Sequence, residues 1–221
     1  MTFCSVKENL LRVKKTIVPY TPNIIAVTKY YGSEAILDAY ATGVRDFAES
    51  RINDAISKIE NLPDEIRNTS NFHFIGHLQT NKVDKAVKYF DLIQSVDSLK
   101  LAIAISESAK RLNKIQRVLL QVNISQEVQK FGFEERELYA NFENIFRLQN
   151  LVIDGLMCMA PYGASDEELD KVFSKAKQIK EELNTKYNLN LRELSMGMSD
   201  DYKRAVAHGA TMIRLGRILF K

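Results

Sequence analysis

Cysteine is scarce in this chain. Cys4 and Cys158 are the only two among 221 residues. They are too few and too dispersed for a disulfide framework or a zinc site, so a reducing compartment, the cytoplasm, is expected. An excess of one charge is also missing: 31 Lys and Arg against 28 Asp and Glu leave a net +3. With no face-long basic run, that balance argues against a dedicated nucleic-acid binder. No stretch approaches transmembrane length, and the N-terminus, with Lys7, Glu8, Arg12, Lys14 and Lys15, lacks the apolar segment of a signal peptide. The carboxylates show neither EF-hand nor zincin spacing, so no metal is expected. No low-complexity linker, tandem repeat or shift in composition marks a second domain, and one domain over residues 1–221 is expected.

What the chain does have is one sustained rhythm. Residues 2–18 place Val6, Leu10, Val13 and Ile17 at helical spacing, and Pro19 and Pro22 end the element. Short apolar runs at 24–27, 44–48, 72–75, 91–95, 117–123, 151–157, 192–195 and 211–215 read as strands. Helical stretches lie between them at 33–42, 51–61, 80–88, 98–113, 134–147 and 166–186, and another follows Ser199. About eight strands, each but the last followed by a helix, predict a parallel sheet covered by helices. Eight such units suggest a closed (β/α)8 barrel, with an open doubly wound sheet as the alternative. The acidic run Asp166–Asp170, followed by Lys171, Lys175, Lys177 and Lys180, reads as a solvated helix face. Met157, Met159, Met196 and Met198 cluster near strand ends, where such side chains pack around a ring or fill core gaps.

In a barrel, functional residues collect at the C-terminal ends of the strands. Lys29 directly follows the first strand. An amine held there among apolar groups and other cations can attack an aldehyde; a snorkelling or salt-bridged lysine is the competing reading. The segment LSMGMSDDYKRAVAHGATMIRLG carries the second signal. Ser199 is placed to cap a helix, and Asp200 and Asp201 suit its first turn. The bare amides of this turn, with those at Gly216, would seat a phosphate; two ordinary capped turns are the alternative.

Lys29 in AVTK, the stretch HFIGHLQTNK over residues 73–82, Ser95-Val96-Asp97-Ser98, Gly155-Leu156-Met157 and the C-terminal SMGMSDD…RLG occur in that order. Together they resemble the pyridoxal-phosphate homeostasis protein family, single-domain relatives of the alanine racemase barrel domain, over nearly the whole chain. The resemblance implies a modified TIM barrel with an additional N-terminal helix, and pyridoxal 5'-phosphate (PLP) held as a Schiff base on Lys29. It implies phosphate contacts from Ser199 and its turn and from amides around Gly216 and Arg217, with Arg214 approaching the pyridine nitrogen. Arginine stays protonated, so beside that nitrogen it must donate, and the ring becomes a weaker electron sink than one paired with a carboxylate.

Alanine racemases add a C-terminal domain whose partner-subunit tyrosine supplies one of two proton-transfer bases; the chain ends at Lys221, and no such domain is expected here. Two-base racemisation needs an acid/base on each face of the substrate Cα. His77 is the one residue to weigh for the second base, and a surface or hydrogen-bonding role is the plainer reading. A carrier that buffers PLP or delivers it to apoenzymes is therefore expected, as a monomer without nucleic-acid or membrane partners, with a low-activity racemase as the alternative. A barrel enzyme acting on a sugar phosphate without PLP is a third reading.

Three positions depart from the family pattern. Ala48-Glu49-Ser50 stands where Gly-Glu-Asn is usual, leaving Ser50 to offer a hydroxyl. Tyr30-Tyr31-Gly32 replaces a basic residue and proline. Arg217 replaces threonine; it can pair with the phosphate or point to solvent. Lys130, before Phe131-Gly132-Phe133, matches a family Lys-x-Gly-Phe loop and reads as an anion contact or a solvated lysine.

Overall fold

The chain is described here by a computed structural model that covers residues 3–125 and 131–221. Eight parallel strands close into a barrel in sequence order. They are β1 (Asn23–Val27), β2 (Asp46–Glu49), β3 (Asn71–Phe74), β4 (Leu92–Val96), β5 (Gln116–Gln121), β6 (Leu151–Met157), β7 (Glu193–Ser195) and β8 (Met212–Leu215). The barrel closes where β8 pairs with β1, Arg214 opposite Ile25. Every sequence-predicted strand is present within two residues of its expected bounds.

Helices wrap the outside. An additional helix, α1 (Phe3–Thr16), precedes β1; α2 (Ser33–Ala41), α3 (Ile52–Glu60) and α4 (Asp64–Thr69) follow, the last unpredicted because it is only six residues long. Next come α5 (Val83–Tyr89), α6 (Leu99–Arg111), α7 (Glu135–Phe146) and α8 (Asp166–Tyr187). A short 3-10 turn, Thr80–Lys82, leads into α5. Local chemistry sets the ends: Ser98 accepts from the Leu101 amide at 3.2 Å, Ser165 and Glu168 form a capping box, and Asn188 closes α8 at φ +50°.

Two expectations need correction near the C-terminus. The last helix of the predicted series, α9 (Tyr202–Ala207), starts three residues after Ser199, with Asp201 at its N-cap, so Ser199 does not cap it. The final strand is also followed by a helix, the four-residue α10 (Arg217–Phe220). Asn9 of α1 donates to the Leu219 carbonyl of α10 at 3.1 Å, joining the first and last helices.

Strand alternation sorts the core into two shells. Ile25, Val27, Ala48, Leu92, Leu119, Met157 and Met212 fill the barrel lumen, with Ile75 and Met159 packed against them. Ala26, Phe47, Phe72, Phe74, Ile93 and Ile213 face outwards into the larger cluster beneath the helices. Both strand faces are therefore buried, which is why the strands read as continuous apolar runs. Phe47, Phe74, Phe90, Phe133, Phe142 and Phe173 are fully buried in the outer shell, each contributing about 1.5–3 kcal/mol. Gly155 is fixed by packing: a Cβ there would come within 1.9 Å of the Glu193 carbonyl oxygen on β7.

The acidic face of α8 is more than solvated. Lys171 and Glu167 form the expected pair at 2.8 Å, but Asp170 is held by Arg204 at 2.8 Å and His208 at 2.9 Å. These contacts pin α8 to α9. Among the described residues, no helix is long and apolar enough to cross a membrane.

Candidate functional site

At the C-terminal mouth of the barrel, Lys29 lies two residues beyond β1. The Thr28 amide donates to the Ala48 carbonyl at 3.1 Å, so strand pairing continues past the formal end of β1. Lys29 follows as the first residue of a turn closed by the Tyr31 amide on the Thr28 carbonyl at 2.9 Å, at the end of a strand whose Ile25 and Val27 face the lumen. Lys29 is half-buried, with Nζ 5.0 Å from the centroid of the Tyr30 ring. Tyr31 turns the other way, against Phe220, with ring centroids 4.9 Å apart.

A buried ion pair supports this strand end from outside the barrel. Glu49 Oε1 accepts from Thr28 Oγ1 and from Lys58 Nζ, each at 2.7 Å, and Lys58 also donates to the Thr28 carbonyl at 2.9 Å. Glu49 is 2% exposed and its Oε2 has no hydrogen-bond partner. The outward residues on either side of Lys29 and Ser50 are therefore clamped together. The Val27–Ala48 register sets Ser50 beside Lys29 on the rim. Ser50 also lines a cavity of about 310 Å³ with Arg51, Asn53, His77, Gln79 and Lys82.

Arg214 projects into the lumen, because β8 turns Ile213 and Leu215 outwards. It is 3% exposed. Nη1 donates to Ser195 Oγ at 2.7 Å and Nη2 to the Cys158 carbonyl at 3.0 Å. Burial pulls its pKa down and also pushes the neighbouring Cys158 thiol up to about 12, although the Arg214 charge opposes the latter shift.

From Arg214, a polar chain crosses the lumen. Ser195 Oγ donates to Gln94 Oε1 at 2.6 Å, Gln94 Nε2 lies 2.8 Å from His73 Nδ1, and His73 Nε2 lies 2.9 Å from Asp46 Oδ1. Asp46 sits at the opposite barrel end, beside a cavity of about 410 Å³ also lined by Asn71, Arg117 and Glu193. Burial pushes the Asp46 carboxyl up, but hydrogen bonds from His73, Asn23 and Asn71 outweigh it and hold the pKa down. His73, Gln94 and Ser195 were absent from the sequence-based candidates. Their signal was available: each is a polar residue at an inward position of a barrel strand.

The turns after β7 and β8 meet beside the end of β1. Gly197 has φ +91°, and its carbonyl accepts the Arg214 amide at 2.9 Å. A Cβ on Gly216 would sit 3.4 Å from the Val27 carbonyl. Ser199 Oγ accepts from the Ile218 amide at 3.4 Å, joining the two turns. Asp201 Oδ1 accepts the Met198 amide, and burial raises the Asp201 pKa despite that bond and the Arg214 charge.

Of the sequence-predicted site residues, Lys29, Ser50, Ser199, Arg214 and Gly216 all stand on this mouth. Arg217 does too, with its guanidinium exposed and paired with Asp200. His77 faces Asp97 at 3.2 Å and stacks on Phe131, with centroids 3.8 Å apart. Met157 and Met159 pack in or against the lumenal core, Met196 is buried outside it, and Met198 is 38% exposed on the rim. Lys130 lies outside the described residues.

This arrangement fits PLP on its own terms. An amine at the end of β1 stands beside a strand, β8, that carries a buried guanidinium, and two abutting turns offer a hydroxyl and backbone amides.

Comparison with known proteins agrees with that chemistry. The family profile described as "Alanine racemase, N-terminal domain" matches residues 4–221. A pyridoxal phosphate homeostasis protein of Synechocystis is 43% identical over 203 residues, covering 92% of this chain and 92% of the relative. Another, from Aquifex aeolicus, is 36% identical over 197 residues, covering 89% of this chain and 85% of the relative. The structure of PipY from Synechococcus elongatus, solved with PLP bound, superposes with a TM-score of 0.89 at 38% identity, covering 98% of this chain and 100% of that one. Alanine racemase from Clostridium difficile shares the fold, with a TM-score of 0.84 at 18% identity; all of this chain matches 57% of its length.

Proposed function

We propose that this chain, which belongs to the pyridoxal phosphate homeostasis proteins within the alanine racemase N-terminal domain family, binds PLP covalently through Lys29 and buffers or delivers it without robust catalysis. The observation carrying the reading is that a lysine at the end of β1, Lys29, and a buried lumenal arginine on β8, Arg214, stand on adjacent strands at the barrel mouth. Bound PLP supplies an aldehyde carbon that captures amines.

The residues divide the work. The Lys29 amine reaches the mouth from a strand end braced by Thr28, Glu49 and Lys58. Ser199 and the amides around Gly216 and Arg217 hold the phosphate. Arg217 can contribute its amide while its side chain stays with Asp200, which sits on the adjoining turn. Ser50 lies on the rim beside Lys29 and offers a hydroxyl. Arg214 directs N–H donors towards the pyridine nitrogen and leaves it unprotonated, which suits holding the cofactor more than stabilising a carbanion.

Delivery fits an open mouth, and we assign the protein a monomeric, cytoplasmic role with PLP-dependent apoenzymes as recipients. Loaded protein mixed with a PLP-dependent apoenzyme is expected to restore that enzyme's activity, while L-alanine in heavy water keeps its α-proton. Racemisation or exchange of that proton at sustained turnover would favour the racemase reading.

A further inference from the structure

The polar chain across the lumen has a direction, and both ends impose it. Arg214 can only donate, so Ser195 Oγ must accept its N–H. The Ser195 proton then goes to Gln94 Oε1, 2.6 Å away. That contact turns the Gln94 amide nitrogen towards His73 Nδ1, 2.8 Å away, which must accept. The imidazole proton is left on Nε2, facing the Asp46 carboxylate at 2.9 Å. In this orientation each of the four contacts pairs one donor with one acceptor. With the Gln94 amide reversed, Ser195 Oγ would receive two N–H donors and its own proton would lose the Gln94 acceptor.

We propose that Gln94, backed by His73 and Asp46, is a positioning residue that locks the Ser195 hydroxyl and thereby holds the Arg214 guanidinium in one donor orientation. The proposal rests on the reading that Arg214 faces the pyridine nitrogen of PLP. Its basis is burial as well as geometry: Gln94 and Ser195 are fully buried, and His73 and Arg214 are each 3% exposed. A chain so enclosed is strongly coupled, so loss of one member is felt at the next.

The test uses the full-length protein and two variants of similar volume. Gln94→Met removes both links, whereas Gln94→Glu keeps an acceptor for Ser195 and replaces only the donor facing His73. In protein free of PLP, nitrogen NMR is expected to show His73 protonated on Nε2 alone in the wild type and on both nitrogens in Gln94→Glu. PLP affinity is expected to fall about tenfold in Gln94→Met, with a shifted absorbance band, and to stay within about threefold in Gln94→Glu. A wild-type His73 protonated on Nδ1 would overturn the proposal, as would a folded Gln94→Met that binds PLP with wild-type affinity and spectrum. If Gln94→Met fails to fold, the wild-type tautomer and the Gln94→Glu pattern still decide. Failure of the wild type to bind PLP would sink the cofactor reading, while the tautomer would still test the chain's direction.

Discussion

Glu49 and Lys58 meet at 2.7 Å just behind the strand end that carries Lys29, with their side chains 2% and 14% exposed. Removing one partner strands the other's charge in a dry site. Lys58→Met should therefore destabilise the fold by about 3 kcal/mol, and the double variant Lys58→Met/Glu49→Leu should recover most of that loss. Urea denaturation of the single and double variants measures both. A single variant as stable as wild type would show that the pair does not brace this end of the barrel.

Gly197 makes the turn that carries Ser199 possible. Its φ is +91°, and a Cβ would lie 2.6 Å from the Ala205 Cβ. Gly197→Ala should cost about 2 kcal/mol in strain and overpacking. It should also weaken PLP binding more than tenfold by moving the turn, as equilibrium titration would reveal. Unchanged affinity would separate this turn from the phosphate.

Asp46 gives the fold a defined acid response. Its carboxyl is held below 3.8, because hydrogen bonds from His73, Asn23 and Asn71 overcome the opposing effect of burial. A depressed folded pKa contributes stability above the unfolded value and loses it as pH falls through the folded one. Asp46→Asn should therefore lose less stability than wild type between about pH 5 and pH 3. Parallel acid dependences in the two proteins would contradict the assignment.

Cys158 gives the alkaline counterpart. Its thiol, raised by burial from 9.0 to about 12, stays neutral in the fold while the unfolded thiol ionises. The unfolded state then binds fewer protons, so stability falls as pH rises from about 9 towards 12. In a Cys4→Ser background, Cys158 should resist thiol reagents at pH 8 and react on unfolding. Replacing Cys158 with Ala should flatten the alkaline decline. Rapid labelling of the native protein would show that this thiol is not enclosed.

Much of this architecture was legible before any coordinates. The eight apolar runs announced the barrel because strands buried on both faces read as continuous hydrophobic segments. Lys29 stood out because it follows a strand end where barrels place their chemistry, whereas Arg214 was singled out only through the family resemblance. The helix start after Ser199 was misread because two aspartates follow that serine, and the second, Asp201, takes the N-cap position. The pairing of Arg217 with Asp200 was hidden because it joins residues from two different turns. The chain from Arg214 to Asp46 was hidden for the same reason: its members lie on five strands, and only barrel closure makes them neighbours.

The most direct test of the central claim is to load the protein with PLP, reduce it with borohydride and locate the modified residue by peptide mass spectrometry. A pyridoxyl group on Lys29, with no labelling and no visible absorbance band in Lys29→Ala, is the predicted result. A label on another lysine, or a band that survives in Lys29→Ala, would contradict the account.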